Sequence, residues 1–246
     1  MPKCIFCLAT NSTKFNTKEH ILPESLGGGD WAILPEGLYC DNCQNIFGSS
    51  IEQQALADHP FINLRTLLGI PTKKNKAPWF DYMEGRLHSA GNPGRIIYEP
   101  NSRFKKAFEE GRKTITIVPT TSKKPSMVLR TLLKIGLETI AGDNGENKVF
   151  DRRFDPARQF ALTGIKSSNW SYLQITHTDK LNIYIQGIAA DEEPFFMEVH
   201  DYDNEQEYLY LRVLYLDFFV PLIEDVVIDP EIIIVLPNKK MDIITV

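Results

Sequence analysis

The sequence predicts an α+β protein in which a small cysteine-rich module precedes a larger domain with a mainly antiparallel sheet. Three observations lead to this prediction. All four cysteines lie within residues 4–43. A helical pattern of apolar residues covers residues 123–143. From residue 170 onward, segments rich in β-branched and aromatic residues alternate with short polar turns, which is typical of antiparallel strands.

Length and composition are those of a globular protein without a membrane span. The chain has 246 residues, with 43% hydrophobic and 24% charged residues, enough for one large or two ordinary domains. The longest apolar run, EYLYLRVLYLDFFVPLI, is interrupted by Arg212, Asp217 and Pro221. A membrane helix needs about 20 largely uncharged residues. The first ten residues do not form a secretory signal, so we expect a cytoplasmic protein without a membrane partner.

The four cysteines form two CxxC pairs, Cys4/Cys7 and Cys40/Cys43. Two residues between thiols let both sulfurs reach one tetrahedral ion, which predicts a structural Zn²⁺. Disulfides are the alternative, but nothing indicates secretion and cytosolic thiols stay reduced. Four protein ligands close the coordination sphere, so this zinc would organise the fold and activate no water. We expect zinc to contribute on the order of 10 kcal/mol to ordering the module.

The residues between the two cysteine pairs must leave the zinc site and return to it. KEHILP reads as a short strand, GGGDWA as a turn, and ILPEGLYC as the returning segment. A helix is then expected from Cys43 through SSIEQQALAD. This arrangement places Glu19 and His20 on a strand opposite the start of the helix that carries Gln44 and Asn45.

The segments CIFC, TKEHILPESLGG and LYCDNCQNIFG, together with Ile51-Glu52, resemble the HNH endonucleases. The similarity is to the branch whose ββα-metal (treble-clef) module is supported by a four-cysteine zinc. It covers about residues 4–52, a fifth of the chain. The combination is specific: two CxxC pairs, an acid-His pair before a hydrophobic residue and a proline, a Gly-Gly turn, and Asn near the last cysteine.

The resemblance implies a metal-dependent endonuclease that hydrolyses phosphodiester bonds in nucleic acid, with DNA favoured. By this resemblance His20 is the general base, Glu19 is a ligand of a catalytic Mg²⁺ or Mn²⁺, and Gln44 or Asn45 is the second ligand. A carboxylate suits a hard cation, and an imidazole can exchange a proton near neutral pH.

The sequence departs from the family pattern in two places. Gln44 stands where His or Asn is common. The middle Asn has no clear counterpart, with Asp30 and Asn42 the nearest candidates. The alternative is therefore a catalytically inactive, zinc-dependent module that binds nucleic acid or protein. The other histidines show no metal-ligand spacing, and we expect surface or structural roles for them: His59, His88, His177 and His200.

The chain is acidic overall, with a net charge of −5, but its middle is basic. Residues 59–130 carry fourteen Lys and Arg against five Asp and Glu. Such a stretch is either a solvated face or a surface for a polyanion. The candidate nucleic-acid contacts are Lys73, Lys74, Lys76, Arg103, Lys105 and Lys106. Nearby aromatic residues could stack on unpaired bases, but we favour a role as anchors for Trp79, Phe80 and Tyr82.

These features predict three parts: a zinc-stabilised nuclease module at 1–58, a basic connector at 59–100, and an α+β domain at 101–246. In the last part we expect a basic helix at 101–113, a strand at TITIVPT (114–120), and helices at 123–143 and 154–164. The predicted strands after residue 169 are 170–178, 180–189, 194–202, 207–219, 231–237 and 242–246. This domain could bind substrate, a partner protein, a regulator or a second copy of the chain.

Overall fold

The computed structural model describes residues 1–10, 14–72, 74–82, 85–111, 121–143, 148–185, 195–202, 206–226, 228 and 239–246. It confirms the α+β class. One hydrophobic core includes residues from Cys4 to Leu222 and joins the cysteine-rich module to the C-terminal sheet. No helix in these parts of the chain is long and apolar enough to cross a membrane.

The N-terminal module is a short two-stranded ribbon followed by a helical segment. Ile21 N–H donates to the Ala32 carbonyl at 2.7 Å, and Leu34 N–H donates to the Glu19 carbonyl at 3.0 Å, so residues 19–21 run antiparallel to residues 32–34. Short 3-10 turns, Glu24–Leu26 and Asp30–Ala32, lie between them. The helical segment comprises α1 (Asp41–Ile46), a π turn (Phe47–Ile51) and α2 (Glu52–Leu56).

Two glycines make the turn after the ribbon possible. Gly27 has a φ of +98°, a backbone angle that residues with a side chain rarely adopt. A Cβ on Gly28 would lie 1.7 Å from the Leu22 carbonyl oxygen, so the backbone can approach itself this closely only at glycine. The GG pair thus has a steric reason as well as a conformational one.

The segment predicted to be a basic connector contains regular structure. Helix α3 (Phe61–Leu68) buries Phe61, Leu64 and Leu67 in the main core. Three antiparallel strands follow, in the order β1-β2-β3, and they bury a small separate cluster centred on Leu87. Their bounds are β1 (Trp79–Tyr82), β2 (Gly85–Ser89) and β3 (Ile96–Pro100), and helix α4 (Ser102–Glu109) follows them. The division at residues 58 and 100 stays a prediction.

Helix α5 (Pro125–Asp143) is the centre of the C-terminal part. It packs against α2, α6 (Asp155–Thr163) and the five-stranded sheet. The sheet order is β5-β6-β7-β4-β8, and every neighbouring pair is antiparallel. The bounds are β4 (Ser171–His177), α7 (Thr178–Ile185), β5 (Phe195–Tyr202), β6 (Gln206–Val213), β7 (Leu216–Pro221) and β8 (Lys239–Thr245).

Two predicted strands differ from the structure. The first part of KLNIYIQGIA is helix α7. The alternation of a strand would bury Ile183 together with Leu181, but Ile183 is 39% exposed. Helical spacing instead places Leu181 in the core and Tyr184 against it. The single strand predicted over 207–219 is the hairpin β6–β7, closed by a turn at Leu214–Tyr215. Leu214 holds a φ of +56° without the usual Gly or Asn. The strands predicted at 114–120 and 231–237 lie outside the described residues.

Candidate active site and metal centre

The four cysteines meet at one point of the N-terminal module. All four Sγ atoms lie within 4.8 Å of one another, and Cys7 Sγ is 3.6 Å from Cys40 Sγ. Three of the side chains are buried and Cys7 is exposed. The first pair is held by a tight turn, in which Leu8 N–H donates to the Cys4 carbonyl at 3.0 Å. The second pair begins α1, where Cys43 N–H donates to Cys40 Sγ at 3.5 Å.

The cluster fits a tetrahedral metal such as zinc. Zn–S bonds of ~2.3 Å in a tetrahedron place sulfurs ~3.8 Å apart, close to the separation of Cys7 and Cys40. Without a cation the thiols must share protons: a hydrogen bond from Cys43 lowers the pKa of Cys4 to about 5, whereas burial raises the pKa of Cys40 to about 11. A metal at the centre would stabilise all four thiolates together.

His20 lies on the ribbon, paired with Ile33, and its side chain is 19% exposed. The Nε2 atom is 3.7 Å from Oε1 of Glu24, in the turn that follows. The imidazole is therefore held on one side by the fold and remains reachable by a small molecule.

Asp41, the first residue of α1, fixes the start of the ribbon. Its Oδ1 accepts from Asn16 N–H at 2.8 Å and from the Thr17 hydroxyl at 3.2 Å. The backbone hydrogen bond from Asn16 is the main cause that lowers the pKa of Asp41. These contacts connect the segment that leads into the acid-His pair to the start of the helix that carries Gln44 and Asn45.

Glu19 makes a contact that the sequence did not predict. Its Oε1 is 2.8 Å from Nζ of Lys134, a fully buried residue of α5. The same ammonium lies 3.0 Å from Glu52 Oε1 and 2.9 Å from Glu138 Oε2. Burial opposes the charge on Lys134, but the carboxylates outweigh it and raise its pKa well above the ordinary value. Burial also raises the pKa of Glu138, although Lys134 opposes this shift.

The other predicted metal ligands lie at the surface side of α1. Gln44 is half-buried and Asn45 is exposed. The Asn45 carbonyl accepts a hydrogen bond from the Ser49 hydroxyl at 2.5 Å. The candidates for the missing middle Asn are both exposed, and Asp30 is paired with Lys18 at 3.1 Å. Assignment of Glu19, Gln44 and Asn45 to a divalent ion stays a prediction.

A second contact ties the module to α5. Asp58, just after α2, accepts hydrogen bonds at its Oδ2 from the Ser122 hydroxyl at 2.8 Å and from the backbone N–H groups of Lys123 and Lys124 at 2.9 Å. Burial of the Asp58 carboxyl opposes its charge, yet these donors and His59 N–H keep its pKa below the ordinary value. The module is thus held at the start of α5 by Asp58 and at its middle by Lys134.

The predicted basic contacts are found in two places. Lys74 and Lys76 are exposed in the loop before β1, and Lys105 and Lys106 are exposed on α4. Lys106 is 3.9 Å from Glu110. Lys73 and the Arg103 side chain lie outside the described part of the chain.

Each of the four remaining histidines has a nearby polar partner, as expected for structural roles. His177 Nε2 lies 2.8 Å from Asp217 Oδ2, and Arg212 also contacts this carboxylate, at 2.7 and 3.0 Å. Burial opposes the charge on Asp217, but the contacts from His177 and Arg212 lower its pKa to about 2. The other pairs are His59 with Asn63, His88 with Glu99, and His200 with Glu198.

The sequence analysis missed the residues around Lys134. A signal was present: Lys134 and Glu138 are four residues apart in the mostly apolar stretch from Leu132 to Ile140, and charged residues at that spacing in a buried helix are expected to pair. Nothing in the spacing pointed to Glu19, because 115 residues separate it from Lys134.

Comparison with known proteins supports the reading of the N-terminal module. Residues 4–59 match the family model described as HNH endonuclease. No curated protein and no solved structure matches the chain. The match implies nuclease activity and binding to nucleic acid. Residues 4–59 are thus similar to an HNH endonuclease domain, and the four cysteines within them are positioned to bind a metal ion.

Proposed function

We propose that the protein is a metal-dependent endonuclease that hydrolyses phosphodiester bonds, with DNA as the favoured substrate and His20 as the general base. The observation that supports this most directly is the placement of His20 within the matched domain. The side chain is partly exposed on a ribbon that the zinc site and Asp41 hold against α1.

In the proposed reaction, a ring nitrogen of His20 takes a proton from water as the water oxygen attacks phosphorus. The bond from phosphorus to the leaving oxygen breaks, and solvent supplies the proton that this oxygen takes up. Glu24, whose carboxylate is 3.7 Å from Nε2, stabilises the imidazolium that forms. General base catalysis of this kind contributes typically about 10²–10⁴-fold.

The oxygen donors of the predicted ligands are of the type that a hard divalent cation prefers. Glu19 supplies a carboxylate, and Gln44 or Asn45 supplies an amide oxygen. Such an ion, Mg²⁺ or Mn²⁺, would stabilise negative charge on the leaving oxygen. Lys134 engages Oε1 of Glu19, and a carboxylate has a second oxygen that a cation can use.

One observation favours the alternative function, an inactive module that binds nucleic acid or protein. The Glu19 carboxylate already has a buried partner in Lys134, which can take the place of a metal as counter-ion. In that case the acid-His pair would be retained for the structural role of Glu19 alone.

A nicking assay separates the two functions. Supercoiled plasmid is incubated with the zinc-loaded protein and Mg²⁺ or Mn²⁺, beside His20→Ala and the exposed-lysine control Lys166→Ala. We expect nicking by the parent and the control, and a loss of at least about 100-fold for His20→Ala. Nicking that survives the His20 substitution would exclude His20 as the base, and binding without nicking by the parent would support the alternative.

A further inference from the structure

A basic groove lies between helix α3 and strand β1. It is an open groove with a volume of about 400 Å³, within the range of sites that bind small ligands. Three of its lining side chains are cationic, namely Arg65, Lys74 and Lys76, and none of them is acidic. Trp79 and Ile62 supply its apolar wall. The groove therefore combines positive charge with an aromatic surface.

Arg65 differs from the two lysines of the groove because part of its guanidinium is buried. The side chain lies on α3, and its Nε is buried without a hydrogen-bond partner among the described residues. Burial lowers the pKa of this guanidinium, and among the described residues no carboxylate offsets that effect. A partly desolvated guanidinium costs free energy unless an acceptor reaches it. An anion in the groove would provide that acceptor, and a phosphate fits the fork of donors.

Trp79 behaves differently from the aromatic residues that follow it. Phe80 and Tyr82 are buried under the small sheet, as expected for anchors. The Trp79 side chain is 45% exposed, and Arg86 lies over its ring at 4.5 Å. An indole that is half exposed in a basic groove can stack on a nucleobase.

Hydrogen bonds connect the described residues of the loop that carries Lys74 and Lys76. Thr72 N–H donates to the Lys76 carbonyl at 2.8 Å, and Asn75 N–H donates to the Thr72 carbonyl at 2.8 Å. The Thr72 hydroxyl also accepts from Lys76 N–H at 3.2 Å. Binding would therefore order little of the described backbone at Thr72, Asn75 and Lys76, which lowers the entropic cost of binding.

Helix α3 connects the groove to the nuclease domain. It follows α2 after a short turn, and it also contacts the turn Glu24–Leu26 next to His20. A strand held in the groove is thus bound by an element that packs directly against the His20 segment.

We propose that this groove binds one nucleotide of a single-stranded segment of nucleic acid. Its phosphate contacts Arg65, Lys74 and Lys76, and its base stacks on Trp79. The inference rests on the proposed function for its substrate class. The groove adds a preference for single-stranded over double-stranded nucleic acid. A base in a duplex has both faces covered by its neighbours and cannot stack on an indole.

Fluorescence anisotropy tests the proposal on the full-length, zinc-loaded protein without added Mg²⁺. The parent is His20→Ala, so that cleavage does not affect the measurement. The probes are a labelled oligothymidylate and the same strand annealed to oligoadenylate. Trp79→Ala should weaken binding of the single strand about fivefold or more and leave the duplex nearly unchanged. Trp79→Phe, which keeps an aromatic face, should retain most of the affinity.

Charge variants test the phosphate contacts separately. Lys74→Glu with Lys76→Glu should weaken both probes and flatten the dependence of affinity on salt, whereas Trp79→Ala should leave that dependence unchanged. The matched controls are Phe196→Ala, an aromatic residue on a strand with 42% exposure, and Lys166→Glu, and both should bind like the parent. Thermal melting checks that each variant is folded.

The outcomes distinguish this proposal from the proposed nuclease activity. Unchanged single-strand affinity in folded Trp79→Ala, or an equal loss on the duplex, overturns the groove assignment even if the wild-type protein nicks plasmid. A selective loss on the single strand supports the groove even if no nicking is ever observed.

Discussion

Replacing Lys134 by Met should destabilise the protein severely. The Lys134 ammonium is fully buried and lies 2.8–3.0 Å from three carboxylates, those of Glu19, Glu52 and Glu138. Methionine keeps most of the side-chain volume but removes the charge, which leaves these carboxylates without their counter-ion. Removing one partner of a buried ion pair typically costs about 3–5 kcal/mol. Natural domains have only about 5–15 kcal/mol of stability in total, so the loss is a large part of the whole.

The destabilisation should increase with pH. Burial raises the pKa of the Glu138 carboxyl, and replacement of Lys134 removes the charge that opposes this shift, so the pKa should rise further. Such groups favour the folded state at low pH, where both states are protonated, and that contribution is lost as the pH rises. The difference in unfolding free energy between wild type and Lys134→Met should therefore be smaller near pH 5 than near pH 8.

Urea unfolding monitored by circular dichroism measures this free energy at both pH values. The matched control is Lys106→Met, because Lys106 also has a glutamate four residues later but is 77% exposed. It should change stability by less than about 0.5 kcal/mol. A loss below about 1 kcal/mol for Lys134→Met, or a loss that does not depend on pH, would refute the assignment of a buried charge cluster.

Three further predictions follow from the fold and the metal centre. Cys4→Ser or Cys40→Ser should lose bound zinc and melt at lower temperature, whereas His20→Ala should keep both; normal zinc content in the cysteine variants would contradict the metal centre. Asp217→Asn should cost about 2 kcal/mol of stability at neutral pH, because the Asp217 pKa is lowered from 3.8 to about 2. This contribution is present above pH ~4 and is lost as the pH falls toward 2. A stability difference between wild type and variant that does not depend on pH would argue against this role of Asp217. Gly28→Ala should destabilise by at least about 1–3 kcal/mol, since its methyl group would meet the Leu22 carbonyl, and urea unfolding beside the open position Gly48→Ala provides the comparison.

The local features of the N-terminal module could be predicted from the sequence because each depends on short spacing. Two CxxC pairs define a tetrahedral site, and the apolar run after the acid-His pair defines the ribbon. The helices α5 and α6 were found within a few residues by their apolar periodicity.

The missed features depend on contacts distant in sequence or on backbone geometry without a signature. The β6–β7 turn uses Leu214 in a left-handed conformation, which sequence rules assign to Gly or Asn. The partner of Glu19 lies on a helix 115 residues away, and no local pattern specifies such a pair. Arg65 has no signature in the sequence, because its significance comes from a buried Nε without a hydrogen-bond partner among the described residues.

The buried charge cluster also bears on how the N-terminal module could be used apart from the rest of the chain. A fragment cut at residues 4–59 would keep Glu19 and Glu52 but lose Lys134, and it would keep Asp58 without its donors at residues 122–124. It would also expose the apolar residues that share the core with α5 and the sheet. The boundary set by family similarity is therefore not a boundary for expression, and transplantation of the domain into another protein requires helix α5 as well.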